Sequence, residues 1–268
     1  MNLHPVQVGA VTIGGPSLVL IAGPCVIEGR AATLDIAHAL AATCDALGIP
    51  LIFKASFDKA NRSTGTAFRG PGLDAGLEVL AAVREATGLP VTTDVHLPHQ
   101  AAPIAAVVDL LQVPAFLCRQ TDLLLACAAT GRPVNVKKGQ FMAPEAMGAV
   151  VEKLRAGGAG GTVLTERGSS FGHGDLVVDY RGLPAMRALG VPVCMDATHA
   201  CQQPPRLGAS TGGLRAMVPT LARAAVAVGI DALFLEVHPD PDRAPCDGSN
   251  MLPLAELEPL LRGLLALR

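Results

Sequence analysis

Leu51 to Gly72 reads LIFKASFDKANRSTGTAFRGPG. Leu51, Ile52 and Phe53 have the β-branched and aromatic character of a buried strand. The chain then turns at once into a polar loop of Gly, Ser, Thr and Asn. Between Lys54 and Gly72 the loop carries Lys54, Lys59, Arg62 and Arg69 against one acid, Asp58. A chain of formal net charge −2 has no general reason to gather four cations there. Lysine offers a compact point charge and arginine a planar donor fork, which together suit phosphate and carboxylate groups. The bland alternative is a solvated surface loop. It is disfavoured by Ser56, Asn61, Ser63 and Thr64, small hydrogen-bonding residues that alternate with the cations. The stretch is read as an anion site at the C-terminal end of a strand.

Composition bounds what that strand belongs to. Half of the 268 residues are hydrophobic and the mean hydropathy is +0.41, enough for a substantial core. A pI of about 6.4 argues against a nucleic-acid partner. No apolar run approaches a membrane span, and MNLHPVQVGAVTIGG at the start lacks the charged and apolar regions of a secretory signal. Seven cysteines without a CxxC pair indicate reduced thiols in a cytosol, most of them core fillers, rather than a disulfide framework.

Outward from residue 51 a rhythm repeats. Strand candidates fall at Leu18–Ala22, Leu51–Phe53, Val91–Val95, Leu110–Val113, Val134–Val136, Thr162–Leu164, Val191–Met195 and Leu233–Val237. Segments of helical period lie between most of them: Ala31–Leu47, Leu73–Thr87, Thr121–Ala129, Pro144–Ala156 and Leu214–Val228, with a last helix near Leu254–Leu267. Gly or Pro marks many helix exits, as at Gly48–Pro50, Gly88–Pro90, Gly131–Pro133 and Gly190–Pro192. Eight such units predict an α/β fold, a (β/α)8 TIM barrel. An open doubly wound sheet is the alternative, but no GxGxxG turn follows the first strand. No linker divides the chain, so residues 1–268 are expected to form one domain, with residues 1–16 as an N-terminal β-hairpin turning at Gly14–Gly15.

A barrel places functional residues just after its strands. Here those positions hold Cys25, Lys54 and Ser56, Asp94 and His96, Gln112 and Ala115, Lys137 and Lys138, Glu166 and Arg167, Asp196 and His199, and Glu236 and His238. Two constellations stand out. The cations Lys54, Lys59, Lys137, Lys138 and Arg167, with Arg62 and Arg119 further out, would repel one another without a strongly anionic occupant such as a phosphate ester. A lysine after a barrel strand, Lys54 or Lys137, also admits a Schiff base. Cys25, His199, Glu236 and Asp247 form a candidate metal site, because strand eight of a closed barrel lies between strands seven and one. Their donor atoms suit Fe²⁺, Zn²⁺, Mn²⁺ or Co²⁺ rather than Mg²⁺. Any one of the four taken alone reads as a buried thiol or a satisfied polar group. His4 and His38 read as exposed or structural.

The motifs around these residues resemble those of the 3-deoxy-D-manno-octulosonate 8-phosphate synthases: Phe53-Lys54-Ala55-Ser56-Phe57-Asp58-Lys59-Ala60-Asn61-Arg62-Ser63, Ala22-Gly23-Pro24-Cys25, Gln112 to Thr121 (QVPAFLCRQT), Asn135 to Phe141 (NVKKGQF) and Asp196-Ala197-Thr198-His199. The likeness runs from the first strand to the last helix. It implies an aldol-type condensation of phosphoenolpyruvate with D-arabinose 5-phosphate, with C–O cleavage, in lipopolysaccharide sugar synthesis, by a cytoplasmic homotetramer acting on small molecules. By position, the resemblance assigns phosphoenolpyruvate to Lys54, Ser56, Lys59, Gln112, Ala115, Lys137 and Arg167. Asn61, Arg62 and Ser63 are assigned to the sugar phosphate, with Arg62 reaching in from a neighbouring subunit, and Asp94 and His96 face the sugar. Lys59, Lys137, His199 and Asp247 are the implied catalytic set.

Cys rather than Asn at position 25 resembles the metal-dependent branch and implies a divalent metal on Cys25, His199, Glu236 and Asp247. Cys246-Asp247-Gly248 departs from it and resembles the loop of the metal-independent branch. The nearest rival is the 3-deoxy-D-arabino-heptulosonate 7-phosphate synthases, which take erythrose 4-phosphate and typically carry Lys-Pro-Arg-Thr where this chain has Lys59-Ala60-Asn61-Arg62-Ser63. A Schiff-base aldolase and a non-catalytic sugar-phosphate-binding barrel are more distant readings.

Overall fold

The computed structural model describes residues 3–62, 64–207 and 210–268. A hairpin of β1 (Val6–Val8) and β2 (Val11–Ile13) comes first. Its turn is Gly9–Ala10, not Gly14–Gly15, because Val6 pairs with Ile13 and Val8 with Val11. Alternating valines flank a two-residue loop, and Gly9 takes the positive φ (55°) that such a loop demands.

The repeating units follow: β3 (Val19–Gly23), α1 (Arg30–Leu47), β4 (Leu51–Lys54), α2 (Leu73–Thr87), β5 (Val91–Asp94), α3 (Ala101–Val107), β6 (Leu110–Val113), α4 (Thr121–Ala128), β7 (Val134–Lys137), α5 (Gly148–Ala156) and β8 (Thr162–Glu166). A hairpin of β9 (Ser169–Phe171) and β10 (Asp175–Val177) precedes α6 (Gly182–Arg187) and β11 (Val193–Asp196). A second hairpin, β12 (Gln202–Leu207) and β13 (Ser210–Gly213), precedes α7 (Val218–Val228), β14 (Ala232–His238), the short β15 (Leu252–Pro253) and α8 (Leu254–Leu265). Strands β3 to β8, β11 and β14 pair in parallel in that order, and β14 pairs with both β11 and β3. The sheet therefore closes into an eight-stranded (β/α)8 barrel.

The strands are buried along nearly their whole length, and alternate residues serve two cores. Leu20, Phe53, Leu111, Val136 and Leu235 face the helices. Val19, Ile21, Ile52, Leu110, Val163, Cys194, Ala232 and Phe234 pack with Val6, Val8, Val11 and Ile13 of the hairpin. The hairpin thus closes the bottom of the barrel with four apolar side chains, each contributing about 1.5–3 kcal/mol by leaving water. The mouth at the other end stays free for polar groups.

Sequence and structure differ at a few borders. The helices expected at Pro144–Ala156 and Leu214–Val228 open with single 3₁₀ turns, Pro144–Met147 and Arg215–Met217. Helices α3 and α6 escape sequence reading because Pro103 and Pro184 sit in their first turns, where a missing N–H costs nothing. Among the described residues no helix is long and apolar enough to cross a membrane.

Candidate active site

The ends of β4 to β7 and the turns after β8 and β11 deliver residues to one cavity of about 240 Å³, with Asp247 from the loop after β14. The approach of β3 to β4 is so close that a Cβ on Gly23 would lie 1.9 Å from the Lys54 carbonyl oxygen. Only glycine fits there, and Cys25 is thereby led across the mouth. Lys54 Nζ donates to Ser56 Oγ (2.8 Å), Glu236 Oε1 (3.0 Å) and the Cys25 carbonyl (3.2 Å). All three ammonium protons are used on the protein, which argues against Lys54 as a Schiff-base nucleophile. Lys59 is held more loosely, 3.4 Å from the Cys25 carbonyl, 3.7 Å from Glu236 Oε1 and 4.0 Å from Asp247 Oδ2.

Across the cavity Lys137 Nζ lies 2.6 Å from Asp196 Oδ2 and 3.7 Å from the centre of the Phe234 ring. Arg167 Nη2 donates to Gln202 Oε1 at 2.5 Å, while its buried Nη1 has no partner among the described residues. Arg62 lines the cavity of its own chain, its Nη2 donating to the Pro245 carbonyl at 3.1 Å. Asn61, Asp94, His96, Gln112 and Ala115 complete the wall. Ser56 lies beneath it, donating to Asp94, and Ser63 falls outside the described residues.

Two cations counted toward the anion site do other work: Arg69 is exposed and forks onto Asp58, and fully buried Lys138 ties Ser169 Oγ and the Met142 carbonyl to Glu166. Arg119, expected further out, is exposed and outside the cavity wall. The mutual repulsion inferred from sequence is also largely relieved, because Glu236, Asp94, Asp196 and Asp247 stand among Lys54, Lys59, Lys137 and Arg167. His4 and His38 are exposed.

Burial alone would raise these carboxyls. For Glu236 the charges of Lys59, Lys54 and His199 outweigh burial and hold the pKa down to about 2. Lys54 and Lys59 likewise keep Asp94, and His199 and Lys137 keep Asp196, well below the usual carboxylate range. Depressed carboxyl pKa values stabilise the fold above their ordinary values of 3.8 and 4.5, and that stability is lost as pH falls through the folded values. The melting temperature is therefore expected to drop steadily from pH 4.5 to pH 2, read by calorimetry. A flat profile would contradict these charge assignments.

The candidate metal residues form two groups that share Asp247. Ligand atoms of His199, Glu236 and Asp247 lie within 4.8 Å of one another, as do those of Cys25, Cys246 and Asp247. Three observations fit a cation. Glu236 Oε2 is buried without a partner among the described residues. His199 Nδ1 is engaged by Asp196 Oδ2 at 2.7 Å, which turns Nε2 toward Glu236. Asp247 holds a left-handed conformation (φ 48°) that is unusual outside glycine. One expectation is corrected: Cys25 and Cys246 are joined in a disulfide, their Cα atoms 6.6 Å apart. The ring closure that sets β14 beside β3 brings together two thiols 221 residues apart in sequence. The other five thiols are free and buried, as expected.

Sequence reading missed two groups. Asp196 stands in a quoted motif without a role, yet it anchors both Lys137 and His199. Gln202 bridges Arg167 and Asp247, donating to Asp247 Oδ1 at 3.0 Å, and no local signal marks it.

Residues 4–265 match the model of the DAHP synthetase I family. A 2-dehydro-3-deoxyphosphooctonate aldolase of Nitratidesulfovibrio vulgaris (strain DP4) is 59% identical over 248 residues, 92% of this chain and 91% of its own. The protein of that name from Trichlorobacter lovleyi is 58% identical over 262 residues, 97% of this chain and 96% of its own. The one from Magnetococcus marinus is 57% identical over all 268 residues and 93% of its own.

Proposed function

The chain belongs to the DAHP synthetase I family, and on that footing we propose that it condenses phosphoenolpyruvate with D-arabinose 5-phosphate and water. The products are 3-deoxy-D-manno-octulosonate 8-phosphate, for lipopolysaccharide synthesis, and inorganic phosphate. The observation that carries this reading is 57–59% identity over nearly the whole chain to proteins named 2-dehydro-3-deoxyphosphooctonate aldolase. The cavity wall carries Lys59-Ala60-Asn61-Arg62, not the Lys-Pro-Arg-Thr that an erythrose 4-phosphate enzyme would show.

The geometry suggests how the residues divide the work. Lys137 uses one contact on Asp196 and keeps protons for a ligand, and Arg167 offers Nη1 beside it. These two, with Lys59 and Gln112, take the phosphate and carboxylate of phosphoenolpyruvate. Asn61 and Arg62 take the sugar phosphate at the outer wall, and Asp94 and His96 face the sugar. Holding two anions side by side removes much of the entropic cost of their meeting. C3 of the enol then bonds to the aldehyde carbon while water bonds to C2. The C2–O bond breaks and its electron pair leaves with phosphate. Lys59, the least tightly held ammonium, stabilises the charge that grows on the aldehyde oxygen and gives that oxygen its proton. Asp247 accepts one proton from the water and returns it to Lys59, 4.0 Å away, and the second water proton leaves with phosphate as C2 becomes a carbonyl. Phosphoenolpyruvate labelled with ¹⁸O in the bridge between C2 and phosphorus tests the sequence of bonds. The label is expected in the released phosphate; label in the eight-carbon product would overturn C–O cleavage.

Cys25, His199, Glu236 and Asp247 would hold a divalent ion of the Zn²⁺, Fe²⁺, Mn²⁺ or Co²⁺ class, which when bound supplies Lewis-acid polarisation at the mouth. Cys25 can serve only as a thiolate, so the set is complete only with the Cys25–Cys246 bond reduced. Reduced protein is expected to carry about one metal per chain by elemental analysis, and Cys25→Asn to lose most of it. Equal metal in the two proteins would remove Cys25 from the ligand set. The assembly proposed is a cytoplasmic homotetramer; Phe141 and Phe171, more than half exposed, support contact between copies. Light scattering is expected to give four times the 27.4 kDa chain mass. A monomer would contradict it.

A further inference from the structure

Four consecutive barrel strands each send one polar side chain into the barrel interior beneath the cavity: Asp94 from β5, Gln112 from β6, Asn135 from β7 and Thr165 from β8. Thr165 Oγ1 donates to Asn135 Oδ1 at 2.6 Å, Asn135 Nδ2 to Gln112 Oε1 at 3.1 Å, and Gln112 Nε2 to Asp94 Oδ1 at 2.7 Å. Ser56 donates to the other oxygen of Asp94. Only Gln112 and Asp94 reach the cavity wall; Asn135 and Thr165 are completely buried behind it.

The direction of this chain follows from its acidic end. An ionised carboxylate only accepts, so Gln112 must show Asp94 its NH₂ group and show Asn135 its oxygen. Asn135 must then show its own NH₂ to Gln112 and its oxygen to Thr165, whose hydroxyl donates. Turning either amide over would set oxygen against oxygen in a buried place, where an unmade hydrogen bond is costly. The Gln112 amide is thereby locked with its oxygen turned to Asn135 and its second N–H left for the cavity.

We infer that Thr165 and Asn135 are positioning residues that make Gln112 a dedicated hydrogen-bond donor to an anionic oxygen of phosphoenolpyruvate. Neither touches substrate; both act through Gln112. A Gln112 N–H so presented takes a carboxylate or phosphate oxygen, and because Asn61 and Arg62 take the sugar phosphate at the outer wall, the ladder acts on phosphoenolpyruvate. The inference rests on the reading that Gln112 contacts phosphoenolpyruvate.

The test is steady-state kinetics of Thr165→Val, Thr165→Ser and Gln112→Ala, varying each substrate separately. Thr165→Val keeps the side-chain volume and leaves buried Asn135 Oδ1 without its donor, which loosens the hold of Asn135 on Gln112. Its KM for phosphoenolpyruvate is expected to rise about tenfold, with kcat and the KM for arabinose 5-phosphate within about twofold of wild type. Thr165→Ser, which restores the hydroxyl, is expected to recover wild-type KM. A Thr165→Val protein that melts lower but keeps its KM for phosphoenolpyruvate would overturn the inference and leave Thr165 merely structural. So would equal rises in both KM values, or failure of serine to rescue. Should Thr165→Val not fold, Thr165→Ala is read by the same criteria. Gln112→Ala separates the underlying reading: if it leaves the KM for phosphoenolpyruvate unchanged, Gln112 does not hold that substrate. If Gln112→Ala raises that KM and Thr165→Val does not, the contact stands and the ladder fails.

Discussion

Lys137→Met is expected to lower kcat/KM by about three orders of magnitude. Lys137 Nζ stands 2.6 Å from Asp196 and over the Phe234 ring, so its position is fixed before substrate arrives. Fixed donors in a dry site need no reorganisation as charge develops, and removing one costs about 10²–10³ in rate. The substitution also leaves Asp196 buried with His199 as its remaining close side-chain partner. Breaking a buried pair in this way costs about 3–5 kcal/mol of stability, so the melting temperature should fall as well. Lys137→Arg keeps the charge but not the compact ammonium, and its activity is expected to stay below a tenth of wild type. A Lys137→Met enzyme within tenfold of wild-type kcat/KM would show that this ammonium is not at the reacting centre.

Arg167→Met is expected to raise the KM for phosphoenolpyruvate about a hundredfold, with a smaller change in kcat. One arm of the guanidinium is held by Gln202, and the other is buried without a partner among the described residues. An unpaired buried donor destabilises the free protein. An anion that accepts from it recovers that free energy, with about 1.5–3 kcal/mol for a charge-assisted bond. Phosphoenolpyruvate should accordingly raise the melting temperature of the wild type and do so far less in Arg167→Met. Equal ligand-induced shifts in the two proteins would place the substrate elsewhere.

The barrel was legible because its signals are local. Apolar strands alternate with helical periods, and glycines stand where helices must stop; Gly48, Gly88 and Gly229 take the left-handed conformations that end α1, α2 and α7. The metal candidates were legible at one remove, since ring closure alone puts β14 between β11 and β3. Partner choice was not legible. Nothing local in the sequence pairs Arg69 with Asp58, turns Lys138 inward, or sets Lys54 on Glu236 from 182 residues away. The same holds for the meeting of Cys25 with Cys246 and for Gln202 as a bridge. These are contacts of distant strand ends and loops, and side-chain identity shows which groups are available without showing which of them meet.

The barrel mouth therefore combines opposing demands. Buried acids hold lysines in place and neutralise them, while Arg167 and the looser Lys59 keep donors for incoming anions. The central claim is that these donors join phosphoenolpyruvate to a five-carbon sugar phosphate. The most direct measurement is phosphate release from phosphoenolpyruvate by the reduced enzyme, with arabinose 5-phosphate and erythrose 4-phosphate in parallel. The expected result is a kcat/KM for arabinose 5-phosphate at least about a hundredfold above that for erythrose 4-phosphate. Equal use of the two sugars, preference for the four-carbon sugar, or no release with either would contradict the account.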